Sequence, residues 1–198
     1  MTTVYYVTHP DVVQDPEVPV PRWPLSDVGR ARMERLCGAP WVSGLRSVFC
    51  SSEQKALDGA AVLARHLGVE HQVLPELGEN DRSSTGFMSG DAFSAVVDRF
   101  FAEPEQSVRG WETAADAQRR MVAAVDEVVR RADGAGDTVI VAHGGVGALL
   151  MCALRGVPIS REQEQPLRGP EPGTVGGCWF SFDARTRELR SAWSPIDG

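Results

Sequence analysis

Two histidines, His9 and His143, each stand where an apolar β-type run ends. Val4-Tyr5-Tyr6-Val7-Thr8 leads into the first, and Thr138-Val139-Ile140-Val141-Ala142 into the second. Runs of β-branched and aromatic residues of this length predict short buried strands. Pro10 has no N–H for a ladder bond, so the first strand stops there. Both imidazoles then emerge at the carboxyl ends of strands, where open α/β sheets hold their ligands. One such histidine is ordinarily a core residue; two on the same sheet edge point to chemistry.

Four chemistries use histidines in this way. Metal binding would need acidic or cysteine ligands at ligand spacing or a His-Glu-x-x-His helix, and the sequence has neither. A serine hydrolase would fit His143-Gly144-Gly145 as an oxyanion turn, but no Gly-x-Ser-x-Gly elbow occurs. Dinucleotide binding would use Gly144-Gly145-Val146-Gly147, an incomplete glycine pattern late in the chain with no acidic residue on a following strand. A histidine nucleophile attacking phosphorus, with the second histidine and cationic groups holding the phosphoryl oxygens, accounts for more of the residues.

The elements that would carry these groups alternate in βα fashion. Ser26 reads as the N-cap of a helix through Arg30, Met33, Leu36 and Cys37 that ends at Gly38. Leu45 to Cys50 predicts a second strand. Ser51 and Ser52 offer caps for a helix from Leu57 to Leu67 closed by Gly68, and Val69 to Leu74 predicts a third strand. Residues 75–110 interrupt the alternation with a polar stretch and a helix through Phe93, Val96, Val97, Phe100 and Phe101. A long amphipathic helix spans Thr113 to Ala132, and another runs through Val146, Leu149, Leu150, Cys152 and Leu154. A Pro/Gly-rich loop covers roughly 156–176, and Cys178 to Phe182 with Glu188 to Trp193 predicts a terminal hairpin. The fold class is α/β: a three-layer α/β/α sandwich with a mostly parallel central sheet, a loop/helix insert and a C-terminal hairpin. It reads as one domain over 1–198, its insert at about 75–110.

Composition bounds the partners. The 198 residues suit a single domain with a substantial core, and a net charge of −7 leaves no basic footprint for nucleic acid or an anionic membrane. No apolar run approaches bilayer length and no signal-type N-terminus is present, so a cytoplasmic location is expected. Cys37, Cys50, Cys152 and Cys178 are scattered and read as reduced, mostly buried small hydrophobes. Exposed strands and Trp-bearing loops leave a homodimer open. Trp111, Phe100 and Phe101 read as core, and His66 and His71 carry no assigned chemistry.

At this point the residues resemble the histidine phosphatases of the phosphoglycerate mutase-like superfamily. That family's first strand ends in Arg-His-Gly, and here Thr8-His9-Pro10 stands in its place. Its Leu-Thr/Ser-x-x-Gly helix start is matched by Leu25-Ser26-Asp27-Val28-Gly29. Its Ser-x-x-x-Arg-Ala-x-x-Thr-Ala frame is occupied by Ser51, Lys55, Ala56, Gly59 and Ala60. Leu77-Gly78-Glu79 matches its Leu-x-Glu, Gly110-Trp111-Glu112 its Gly-Glu-Ser, and His143-Gly144 its second His-Gly pair.

The resemblance implies that His9 becomes phosphorylated and that Glu79 is general acid and base, with Asp81 and Glu76 as rivals. His143, Lys55 and the backbone around Gly144 would hold the phosphoryl oxygens, with no metal or other cofactor. It also exposes a departure: the arginine before the nucleophile is Thr8, and the arginine on the second helix is Lys55. Loss of one charged oxyanion contact costs about 3–4 kcal/mol of transition-state stabilisation, or two to three orders of magnitude in rate. Thr8 would donate one neutral hydrogen bond in its place, and Arg82 and Arg22 are the candidate replacement cations. Three functions follow in order: a phosphomonoester hydrolase acting on a small phosphorylated metabolite; a pseudophosphatase serving as a binding module; and a phosphoglycerate-type mutase.

Overall fold

The computed structural model describes residues 2–132, 134, 136–166 and 174–197. Six strands form one sheet: β1 (Thr3–Thr8), β2 (Leu45–Cys50), β3 (His71–Val73), β4 (Asp137–Ala142), β5 (Cys178–Asp183) and β6 (Leu189–Pro195), ordered β3-β2-β4-β1-β5-β6. The first four run parallel, while β5 lies antiparallel to β1 and makes the expected hairpin with β6. The third strand is shorter than the apolar run that announced it.

Helices cover both faces. α1 (Asp27–Leu36) and α2 (Gln54–Leu67) pack on Val7, Val48, Val139 and Val141. α3 (Gly90–Ala102), α4 (Ala114–Ala132) and α5 (Gly144–Arg155) pack on Val4, Tyr6, Ile140 and Phe180. The period-2 alternation thus sends Val4 and Tyr6 to one core and Val7 to the other, which is why the central strands are apolar throughout. Trp111, Phe100 and Phe101 are core residues as expected, and Phe100 meets both Phe101 and Trp111 edge-on. Aromatic pairs of this kind add about 0.5–1.5 kcal/mol each beyond burial. All four cysteines are free thiols, and burial pushes Cys50 up to about 12. No helix among the described residues is long and apolar enough to cross a membrane.

The neighbouring strands β1 and β4 are followed by helices on opposite faces, so a crevice opens between their carboxyl ends. Two arginines fix its walls. Arg32, fully buried on α1, pairs with Asp11 and Asp197 at 2.9 Å and binds the carbonyls of Val175 and Gly176. It thereby ties the loop after His9 to the segment entering β5 and to the C-terminal turn. Arg120 on α4 grips Glu112 and the carbonyls of Glu76, Gly78 and Glu79, setting the turn that carries Glu79. Ser26 caps α1 as expected, its hydroxyl accepting the Gly29 N–H at 3.1 Å. Gly29 lies directly against the Asp11 carbonyl, where any Cβ would collide. One expected cap is absent: α2 begins after Glu53 with no side-chain cap bond, and Ser51, two residues earlier, accepts the Glu53 N–H at 3.3 Å and meets His143 Nε2 at 2.7 Å. Of the loop expected at 156–176, residues 167–173 lie outside the described residues.

Candidate active site

His9 continues the β1–β4 ladder, its N–H donating to the Ala142 carbonyl at 3.1 Å. Its Nδ1 lies 2.9 Å from the Pro10 carbonyl. A carbonyl only accepts, so Nδ1 carries the hydrogen and Nε2 keeps a lone pair. Burial, then the neighbouring His143 and Lys55, push the His9 pKa down to about 3. The ring is neutral at physiological pH, in the tautomer a nucleophile needs.

The His143 ring stands 5.3 Å from that of His9, centroid to centroid, and is wholly buried. The topology therefore brings the two predicted histidines together. Nε2 of His143 is 2.7 Å from the Ser51 hydroxyl and 3.4 Å from Glu53 Oε1, while Nδ1 has no hydrogen-bond partner among the described residues. Burial holds the His143 pKa below the ordinary value despite the pull of Glu53 and Glu79. Its carbonyl accepts from the buried Tyr6 hydroxyl at 2.9 Å, which fixes the backbone at the start of α5.

Lys55, on the first turn of α2, is buried beside this pair. Its ammonium donates to the Val20 carbonyl at 3.0 Å and to Glu53 Oε2. The other Glu53 oxygen accepts the Glu79 N–H at 2.9 Å. Burial alone would raise the Glu53 carboxyl, but His143, Lys55 and the Glu79 N–H outweigh it and bring it down to about 2. Sequence reasoning missed Glu53, which occupies an unspecified x position of the Ser-x-x-x-Arg-Ala frame.

Glu79 reaches the same cluster, and Asp81 and Glu76 do not displace it. Its carboxylate accepts the N–H groups of Gly145 at 3.1 Å and Val146 at 3.0 Å, at the N-terminus of α5. Arg82 approaches to 3.9 Å while its guanidinium lies over the Phe93 and Trp111 rings. A general acid working near neutral pH needs a raised pKa, and Glu79 in the substrate-free protein has the opposite shift. Burial does raise it, but Arg82, His143 and the Asn80 N–H outweigh burial, so the carboxyl sits below its ordinary value. The helix N-terminus favours the anion in the same direction.

Thr8 also differs from expectation. Its buried hydroxyl accepts the Cys178 N–H at 2.9 Å and directs its hydrogen to Gln165 Oε1, with the Cys178 carbonyl a more distant acceptor at 3.2 Å. That hydrogen is spent within the protein, so Thr8 is not the phosphate donor foreseen; the Gln165 side chain fills the space beside it. Gln165 gave no signal in the sequence, since it lies in an irregular loop. Arg22 ends a turn over Val20–Arg22 and is exposed; its N–H closes that turn on the Pro19 carbonyl at 2.8 Å, and its side chain makes no hydrogen bond or ion pair to a described residue. The turn that it ends meets the cluster through the Val20 carbonyl, which receives Lys55. Gly144 opens α5 between His143 and the Glu79-bound N–H groups.

Lys55 and Arg82 thus face Glu53 and Glu79, two cations against two carboxylates. Two cavities, of about 410 and 480 Å3, lie elsewhere, one beside Val4 and Asp183 and the other beside Trp41 and Trp179. The histidines line neither of them.

The family model for the histidine phosphatase superfamily (branch 1) matches residues 20–185. The chain belongs to that superfamily. The match takes in Lys55, Glu79 and His143 and begins after the divergent Thr8-His9-Pro10. Among solved structures, the mycobacterial glucosyl-3-phosphoglycerate phosphatase in complex with inorganic phosphate superposes with a TM-score of 0.75 at 19% identity, covering 100% of both chains. Bacillus stearothermophilus YhfR gives 0.74 at 21% identity, over 98% of this chain and 96% of that one. The alpha-ribazole phosphatase from Shigella flexneri gives 0.64 at 17%, over 98% and 96%. At these identities the likeness is one of fold. A search of curated proteins by sequence gave no match.

Proposed function

We propose that this histidine phosphatase superfamily member is a phosphomonoester hydrolase acting on a small phosphorylated metabolite through a phosphohistidine on His9. The observation that carries the reading is the Nδ1–H bond to the Pro10 carbonyl, which leaves Nε2 unprotonated beside His143. Nε2 attacks phosphorus in line, the bond to the leaving oxygen breaks, and that oxygen takes a proton. His143, the spare N–H of Lys55 and the amides opening α5 receive the equatorial oxygens. Glu79 holds some of those amides in the substrate-free protein. An incoming phosphoryl dianion competes for them, displaces the carboxylate and raises its pKa by like-charge repulsion. Glu79 then protonates the leaving oxygen and, as a carboxylate again, takes a proton from the water that hydrolyses the intermediate and returns Nε2.

A second reading, a weakened enzyme acting as a binding module, is favoured by the charge balance of Lys55 and Arg82 against Glu53 and Glu79. Phosphate release from a broad panel of phosphomonoesters, with wild type and His9→Ala side by side, separates the two. Turnover by wild type and none by His9→Ala supports the hydrolase. Silence across the panel leaves the binding module, and equal turnover by both proteins removes His9 as nucleophile.

A further inference from the structure

Thr8 occupies the position where the resemblance puts an arginine, and Gln165 stands against it. The Thr8 hydroxyl accepts the Cys178 N–H at 2.9 Å, and its hydrogen has two acceptors, Gln165 Oε1 and, farther off at 3.2 Å, the Cys178 carbonyl; the nearer, Gln165 Oε1, takes it. This fixes the orientation of the carboxamide and turns its NH2 group away from Thr8. The slot that receives the NH2 group is made by two glycines. A Cβ at Gly144 would lie 2.5 Å from Gln165 Nε2, and one at Gly176 would lie 3.7 Å from it and 3.0 Å from the His9 carbonyl oxygen. Gly176 also has a φ of +62°, which few other residues adopt without strain. The amide therefore sits between the strand end bearing His9 and the first residue of α5. Among the described residues its Nε2 makes no hydrogen bond.

From this placement we infer that the Gln165 carboxamide is a phosphoryl-binding group, held by the Thr8 hydroxyl as an uncharged substitute for the missing arginine. The inference rests on the hydrolase reading for the site's location, but not on turnover. Nε2 supplies two N–H donors without adding charge to a cluster already balanced by Lys55, Arg82, Glu53 and Glu79. Thr8 acts through Gln165 as a positioning residue.

Phosphate affinity tests this independently of catalysis, by calorimetric titration of inorganic phosphate. A hydrogen bond to a charged acceptor corresponds to about a ten- to hundredfold change in affinity, and Gln165→Ala is expected to lose that much. Gln165→Glu keeps an oxygen for Thr8 but replaces the donor by a carboxylate, and is expected to abolish binding while leaving the melting temperature near that of wild type. Thr8→Val should weaken phosphate as Gln165→Ala does, and Thr8→Ser, which retains the hydroxyl, should restore it. Phosphate affinity unchanged in Gln165→Ala and Gln165→Glu overturns the inference even if wild type hydrolyses p-nitrophenyl phosphate. Affinity lost in both variants of a protein that shows no turnover and no phosphoenzyme upholds it while removing the hydrolase reading. Failure of wild type to bind millimolar phosphate overturns it outright.

Discussion

α1 and α2 lie on the same face of the sheet, and each sinks one cation into the protein. The Arg32 side chain is 0% exposed and that of Lys55 is 6% exposed, so burial does not tell them apart. The donors do. Asp197, Asp11 and the carbonyls of Val175 and Gly176 consume all five guanidinium N–H groups of Arg32. Lys55 has three N–H groups and two described partners, Val20 and Glu53. A cation whose bonds are complete is structural; one with a donor left over, beside two neutral histidines, is placed to receive an anion. The comparison also shows the use of Glu53, which pairs with a buried lysine without exhausting its donors.

The two cations should separate under mutation, the largest effect coming from Arg32. Arg32→Met leaves Asp197 and Asp11 without their partner and is expected to cost about 3–5 kcal/mol of stability, lowering the melting temperature by roughly 6–20 °C. Its activity per folded molecule, measured well below that transition, should fall much less than that of a Lys55 variant. Lys55→Met is expected to lose about two to three orders of magnitude in kcat/KM with p-nitrophenyl phosphate, the scale of one oxyanion contact. If Lys55→Met melts early but hydrolyses normally, the two cations are alike and the distinction fails. Glu53→Gln keeps an acceptor for the Glu79 N–H but removes the charge opposing Lys55. Inorganic phosphate should then bind roughly tenfold more tightly, and weaker binding would mean that Glu53 positions Lys55 rather than restrains it.

The smallest effect is in pH. His9 has a folded pKa near 3 and an ordinary value of 6.5, so the unfolded chain takes up its proton first as pH falls. The stability it contributes is complete above pH 6.5 and is lost toward pH 3. For this partly exposed ring the slope is about 1 kcal/mol per pH unit or less. Glu53, with an ordinary value of 4.5 and a folded value near 2, loses its contribution lower, between those two values. Urea melts at pH 7 and 5.5 therefore isolate the histidines. His9→Asn should flatten the slope, and Lys55→Met should flatten it in part, because Lys55 helps hold His9 unprotonated.

The strands, their helices and the meeting of His9 with His143 were legible because hydrophobic periodicity and strand ends are local signals. The Glu79 turn was legible through its motif, but its protonation was not. That depends on Arg82, lying over the Phe93 and Trp111 rings, and on the α5 amides, which come from distant segments. Ser51 looked like a helix cap and instead serves His143, a choice set by tertiary contact. Glu53 and Gln165 were invisible for a related reason. One sits at an unconstrained position of a known frame and the other in a loop without periodicity, and only the fold brings them to the histidines. Arg22 illustrates the reverse error, since closeness to His9 in sequence did not bring it into the cluster.

The most direct test of the histidine chemistry is to quench the protein rapidly during incubation with p-nitrophenyl phosphate and map any acid-labile phosphate by mass spectrometry. A single phosphoryl group on His9, absent from His9→Ala and reduced in Lys55→Met, is the predicted result. Phosphate on His143 or on no histidine, in a protein that nonetheless turns over, would contradict it.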